Sequence, residues 1–164
     1  MADLPPSALG PGEASQVDTQ PVPSVPMSSF RPQALRGAPV AGQPINGEIN
    51  YRILRNNIIT EFKKGRLAQN EVCDAHPELI RAARNVGEET SVECPICEEN
   101  NVVLVTYVFG GHLPPGGTLI TNKAELSKVA KRAKEMVCYV IEVCPSCQWN
   151  HLAQVLPLGG TRVK

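Results

Sequence analysis

Four of the six cysteines stand in a pattern that binds metal. Cys94-Pro95-Ile96-Cys97 and Cys144-Pro145-Ser146-Cys147 are two C-P-x-C turns separated by residues 98–143. Thiolates three positions apart can both point into a tight turn and take two corners of a tetrahedron. Two such turns complete the four-thiolate shell usual for structural Zn2+. Four sulfurs leave no open position for water, so the chemistry this implies is structural rather than catalytic. Proline after the first cysteine fixes φ, and backbone N–H groups beyond it can reach the thiolate sulfur. Many such knuckles place glycine after the second cysteine, whereas this chain has Glu98 and Gln148 there.

Two other uses of paired cysteines compete with metal. A thioredoxin-like C-x-x-C occurs once, at a helix start after a strand. Here each pair leads into strand-forming sequence instead. A disulfide scaffold needs an oxidising compartment. The start Met1-Ala2-Asp3-Leu4-Pro5-Pro6 has neither the basic nor the apolar region of a signal peptide. No apolar run approaches the roughly 18 residues of a membrane span. The expectation is a cytoplasmic protein with reduced thiols and no membrane partner.

The remaining candidates are weaker. Cys73-Asp74-Ala75-His76 has C-x2-H spacing, so Cys73 and His76 are possible alternative ligands. The competing reading is a small buried thiol beside a turn histidine. Cys138 reads as a strand-packing residue. His151 follows Cys147 by four residues, and His112 sits in a Gly/Pro loop. No Ser-His-Asp set, phosphate-cradling loop or dinucleotide fingerprint is present, and no enzymatic activity is expected.

The elements that must position these residues are read from apolar period and breakers. Residues 1–44 hold nine of the fifteen prolines with much Ser, Gln, Gly and Ala, a composition that cannot offset ordering entropy and reads as a disordered tail. Within it, Phe30-Arg31-Pro32 is a possible partner-docking piece. Residues 45–87 read as a helical segment. A first helix, capped by Asn46 or Asn50, places Ile49, Ile53, Leu54, Ile58, Ile59 and Phe62 on one face and ends at Gly65. Arg52, Arg55, Lys63, Lys64 and Arg66 lie on its outer face. A short helix over Leu67–Cys73 and a third from Glu78 to Val86 follow, the latter started by Pro77 and stopped by Gly87. Residues 88–99 carry five glutamates and read as an acidic skirt around the first turn, suited to a basic protein surface and repelled by phosphates.

Residues 88–158 read as a zinc ribbon with an inserted helix. Val102–Phe109 is the strongest strand signal. A Gly/Pro loop over 110–117 follows, then a helix from Lys123 to Glu135 with Lys128, Lys131 and Arg132 on its basic face. Strands over 137–143 and 149–156 flank the second turn, and 159–164 is a short tail. The fold class expected is therefore α+β: a helical cap plus a four-cysteine ribbon.

Residues 47–158 resemble an actinobacterial family of small uncharacterised zinc-ribbon-like proteins. The segments that carry the likeness are Glu71-Val72-Cys73-Asp74-Ala75-His76-Pro77-Glu78-Leu79, Cys94-Pro95-Ile96-Cys97, Leu104-Val105-Thr106-Tyr107-Val108 and Cys144-Pro145-Ser146-Cys147-Gln148-Trp149-Asn150-His151. The resemblance implies an intracellular bacterial protein and carries no activity with it.

The formal net charge is zero, so no global field draws the chain to nucleic acid or anionic lipid. The leading reading is a non-enzymatic zinc-binding module that docks on a larger protein machine, such as that of transcription or translation. The alternative is a DNA-binding regulator that uses the 67–86 helices as a helix-turn-helix, with Arg81 and Arg84 toward the major groove. Lys128, Lys131 and Arg132 would add phosphate contacts.

Overall fold

The computed structural model describes residues 30–40, 43, 45–111, 113–114, 116–132 and 135–159. Residues 1–29, His112 and 160–164 lie outside them, and with them most of the expected tails. The elements in order are a 3-10 turn (Pro32–Ala34), β1 (Ile49–Asn50), α1 (Arg52–Lys63), α2 (Gln69–Val72), α3 (Pro77–Val86), β2 (Glu88–Glu93), β3 (Asn101–Gly110), β4 (Thr118–Ile120), α4 (Lys123–Arg132), β5 (Met136–Val143) and β6 (Asn150–Leu158). All strands pair antiparallel in one sheet of order β1-β6-β5-β3-β2, and β4 adds to β3.

The central pair is written in period two. Val103, Val105, Tyr107 and Phe109 of β3 share one cluster with Val137, Tyr139, Ile141 and Val143 of β5. Val108, Met136 and Cys138 turn to the opposite face. The register places Val105 opposite Ile141 and Tyr107 opposite Tyr139, so same-face residues meet directly. A slip of one residue would send this set to the wrong face.

Helix α3 covers the first face. His76 Nδ1 accepts a hydrogen bond from the Glu78 N–H at 3.2 Å and Pro77 fills the first turn. Leu79, Ile80, Ala82 and Ala83 are buried in the same cluster as the β3 and β5 residues. This differs from a helix-turn-helix. Helix α2 is a single turn, and α3 spends its apolar face on the sheet. On the second face, α4 lays Leu126 and Val129 against Val108, Ile120, Met136 and Cys138. Its start is fixed reciprocally: Asn122 Oδ1 accepts from the Glu125 N–H at 2.8 Å, and Glu125 Oε2 from the Thr121 N–H at 2.9 Å.

Other boundaries moved for physical reasons. Ile49 and Asn50 pair with β6 as a strand, so the helical segment and the ribbon share one sheet. The helix starts at Arg52, whose N–H donates to Asn50 Oδ1 at 2.9 Å. Ile53 is 87% exposed rather than on the packed face. The glutamate-rich stretch forms β2. Residues 30–40, expected as disordered tail, pack on the first cluster through Phe30, Leu35 and Ala38. Phe30 stacks on His76 with centroids 5.3 Å apart and meets Tyr107 edge-on at 5.6 Å. Its docking partner is thus this chain's own sheet. The Tyr51 hydroxyl donates to the Gly37 carbonyl at 2.8 Å and holds the segment down.

Gly87 joins α3 to β2 with the Ala83 carbonyl and the Val103 side chain close on its Cα. Its φ is ordinary, but a methyl there would overlap the Ala83 carbonyl oxygen and the Val103 side chain. Gly87→Ala is therefore expected to cost about 1–3 kcal/mol by overpacking, read as a lower thermal midpoint.

Candidate metal centre

Two hairpins bring the cysteines together at one end of the sheet. The first knuckle joins β2 to β3. Its Cys94 N–H donates to the Asn100 carbonyl at 2.8 Å, and the Glu98 N–H to the Cys94 carbonyl at 3.0 Å. The second joins β5 to β6 in the same way. The Cys144 N–H donates to the Trp149 carbonyl at 2.9 Å, and the Gln148 N–H to the Cys144 carbonyl at 3.0 Å. Glu98 and Gln148 take φ of 55° and 71°. The left-handed turn is made without glycine, at roughly 1 kcal/mol each.

All four sulfurs lie within 4.8 Å of one another. Cys94 Sγ is 3.6 Å from Cys147 Sγ, and Cys97 Sγ is 3.8 Å from Cys144 Sγ. A disulfide would need about 2.05 Å. A tetrahedron with Zn–S bonds of about 2.3 Å has sulfurs about 3.8 Å apart, so the spacing fits a tetrahedral metal ion. Cys94 and Cys144 are fully buried, while Cys97 and Cys147 are half-buried. The donor set can hold a metal ion.

Backbone amides already aim at the sulfurs. The Ile96 and Cys97 N–H groups point at Cys94, those of Glu99 and Asn100 at Cys97, and that of Trp149 at Cys147. Burial pushes the Cys94 thiol well above its usual value and Cys147 up to about 12, because neighbouring thiolates cannot all be charged in a dry site. At Cys97 burial also pushes upward, but the two amides and the Cys94 and Cys144 thiols outweigh it and leave it at about 7. A bound cation must therefore displace protons from Cys94 and Cys147. Binding that releases protons strengthens as pH rises. Metal affinity is therefore expected to climb by more than about tenfold per pH unit between pH 6 and 8, measured by chelator competition. A flat profile would contradict it.

The centre rests on a second buried device. Trp149, fully buried, packs with Val72, Val102, Cys94 and Cys144, and its Nε1–H donates to Glu142 Oε1 at 2.9 Å. Arg55 clamps the same carboxylate twice, from Nε and Nη2, each at 2.7 Å. The sequence places Arg55 on an outer helix face and does not single out Glu142. The signal was a lone carboxylate inside an apolar strand.

The other candidates separate. Cys73 packs in the Trp149 cluster, outside the four-sulfur group. His76 caps α3 and stacks on Phe30, so the structure does not bring it to Cys73's side of the centre as a ligand. Cys138 is buried in β5, its thiol pushed up to about 11 by burial. His151 stacks on Trp149 with centroids 5.9 Å apart and its Nδ1 lies 2.7 Å from the Leu152 carbonyl. Its Nε2 is buried without a hydrogen-bond partner among the described residues, and burial lowers its pKa. Arg81 pairs with Glu78. Arg84 Nη2 donates to the Pro145 carbonyl at 3.1 Å and so braces the second knuckle. Lys128, Lys131 and Arg132 are exposed on α4, which covers the opposite sheet face from α3. The expected nucleic-acid contacts do not form one patch. No helix among the described residues is long and apolar enough to cross a membrane.

The comparisons agree with an uncharacterised bacterial lineage. The chain is 40% identical over 114 residues to uncharacterized protein Rv0049 of Mycobacterium tuberculosis and to uncharacterized protein Mb0050 of Mycobacterium bovis. Each match covers 70% of this chain and 83% of the relative. No solved structure matches. The family described as "Family of unknown function (DUF5318)" matches residues 45–164. With nearly three quarters of its length inside that match and mycobacterial relatives at this identity, the chain belongs to the DUF5318 family.

Proposed function

We propose that this protein is a zinc-stabilised, non-enzymatic module that docks on another protein. The observation that carries the reading is the tetrahedral spacing of four thiols, with sulfur pairs at 3.6 and 3.8 Å. A shell completed by four sulfurs offers no position for substrate or water, so the metal's role is to hold the two hairpins. Zinc suits such a set because it is borderline-soft, has no redox chemistry and accepts tetrahedral sulfur without strain.

A docking surface lies beside the first knuckle. Glu88, Glu89 and Glu93 are exposed on the edge strand β2, and Glu98 and Glu99 on the turn beyond it. Lys63, 3.8 Å from Glu98, is the one cation whose ion pair reaches this group among the described residues. The remaining carboxylates favour a basic protein surface and disfavour a phosphate backbone. A larger machine, such as that of transcription or translation, is the setting proposed.

The test is an affinity capture of the tagged chain from its own cells, with and without nuclease, beside a Glu88→Lys/Glu89→Lys/Glu93→Lys variant. Partners that survive nuclease and are lost with the triple variant support the reading. Recovery that collapses with nuclease would overturn it in favour of nucleic acid. Purified protein should carry one zinc per chain, and its absence would remove the metal half of the proposal.

A further inference from the structure

At the end of the sheet away from the four cysteines, the fold leaves room for a guest. A cavity of about 580 Å³ opens between the segment that follows Phe30 and the ends of β3, β5 and β6. One wall is the first sheet face, with Phe109 and Tyr139. The other is the N-terminal segment, with Gln33 and Ile45, and Met136 and Leu158 close the strand ends. That segment is tied down on both sides of the space. Arg36 donates to Asp74 Oδ1 at 2.8 Å and to the Glu71 carbonyl at 2.5 Å. Ile45 packs on the first cluster, just before β1 joins β6. The space is therefore framed by anchored chain. Close-packed interiors leave few voids larger than a water molecule, whereas small-molecule sites run to roughly 300–1,000 Å³ with mostly apolar walls and a few polar groups.

We propose that this cavity binds a small apolar amine, with its hydrocarbon body against Phe109 and Tyr139 and its N–H group on Gln33. Gln33 Oε1 is buried and has no hydrogen-bond partner among the described residues. The turn that carries it is fixed, because Pro32 is fully buried and the Leu35 N–H donates to the Pro32 carbonyl at 3.1 Å. A buried acceptor without a donor destabilises the fold, so a donor brought by a ligand gains the whole of that penalty. Water answers it poorly, since a buried water needs about two to four polar partners and the surrounding walls are largely apolar. The sign of the ligand's charge is also set. Glu135 stands exposed at the rim, and no Lys, Arg or His is among the described lining residues. A carboxylate or phosphate would shed its hydration there and meet no cation, whereas an ammonium meets the Glu135 carboxylate. Val40, 66% exposed at the mouth, is apolar surface that a seated ligand would cover.

The experiment titrates full-length protein, labelled at its methionine and isoleucine methyl groups, with two matched pairs of probes: naphthylmethylamine against naphthoate, and octylamine against octanoate. The Met136 and Ile45 methyl resonances are expected to shift with the amines, and each amine that binds should do so at least about tenfold more tightly than its acid. Gln33→Met keeps the length of the side chain and removes the unpaired oxygen. It should leave the thermal midpoint unchanged or raised and weaken amine binding about tenfold. Glu135→Gln should cut the preference for amine over acid several-fold. No shift of either methyl group with amine up to about 1 mM, as expected of a cavity that holds only water, would overturn the proposal. Acids that bind as tightly as the amines, or a Gln33→Met variant that binds amine as the parent does, would overturn it too. If Gln33→Met does not fold, an unchanged preference in Glu135→Gln overturns it instead.

Discussion

Cys144→Ser is expected to lose the metal and at least 5 kcal/mol of stability, lowering the thermal midpoint by roughly 10–20 °C. Cys144 is fully buried, and its sulfur closes the tetrahedron opposite Cys97. Structural zinc contributes roughly 10–16 kcal/mol of apparent binding energy in small peptides, which matches or exceeds the ~5–15 kcal/mol that holds a typical domain folded. The chain has two further apolar clusters away from the four-cysteine centre, so some sheet can persist. The metal end cannot, because beyond backbone hydrogen bonds the knuckles have only a few side-chain contacts, such as that of Arg84 to the Pro145 carbonyl, and a few apolar contacts. Trp149, packed against Cys94 and Cys144, should report the change as a red-shifted emission. Cys138→Ser is the control. That thiol is equally buried but lies in the cluster beneath α4, and placing a hydroxyl there should cost only about 1–3 kcal/mol. A Cys144→Ser melt that overlays the parent's would contradict the metal's role.

The second large effect is expected at Arg55. Its side chain is 20% exposed and that of Glu142 only 9%, so the pair is shielded from solvent. Arg55→Met would strand the Glu142 carboxylate with the Trp149 indole as its remaining donor. Removing one partner of a buried pair typically costs about 3–5 kcal/mol, since the other charge is left uncompensated. Urea unfolding of Arg55→Met, Glu142→Leu and the double variant would form a cycle. The double variant should be more stable than Arg55→Met alone, because it removes the stranded charge and leaves only the Trp149 N–H unpaired. A double variant whose loss equals the sum of the single losses would show that the pair is not coupled.

How much of this was legible depends on whether the signal is local. The cysteine spacing was, because a C-P-x-C turn encodes its own geometry within four residues. Strands β3 and β5 were legible from their β-branched alternation, and α3 from Pro77, Gly87 and its apolar stripe. Strand β2 was hidden because Glu88, Glu89 and Glu93 mask Thr90 and Val92, and an edge strand exposes most of its side chains. The packing of Phe30 and Leu35 was hidden for a different reason. A few apolar residues without period become meaningful only when a distant surface, here around His76 and Tyr107, is built to receive them. Arg55 with Glu142 is likewise a product of tertiary approach across a long stretch of chain.

The separation of the two knuckles also has a consequence for a chain emerging from the ribosome. Cys97 and Cys144 are 47 positions apart, and at ~5–20 residues per second the second pair follows the first by about 2–10 s. Through that interval the nascent chain carries Cys94 and Cys97 in a completed β2–β3 hairpin, with β5, the inner neighbour of β3, still unsynthesised. A half-built site of two thiols can capture a cation but cannot retain it as four do. On the four-thiolate reading proposed above, metal insertion would be a late event in biosynthesis, set by the arrival of Cys144 and Cys147 rather than by the supply of the ion.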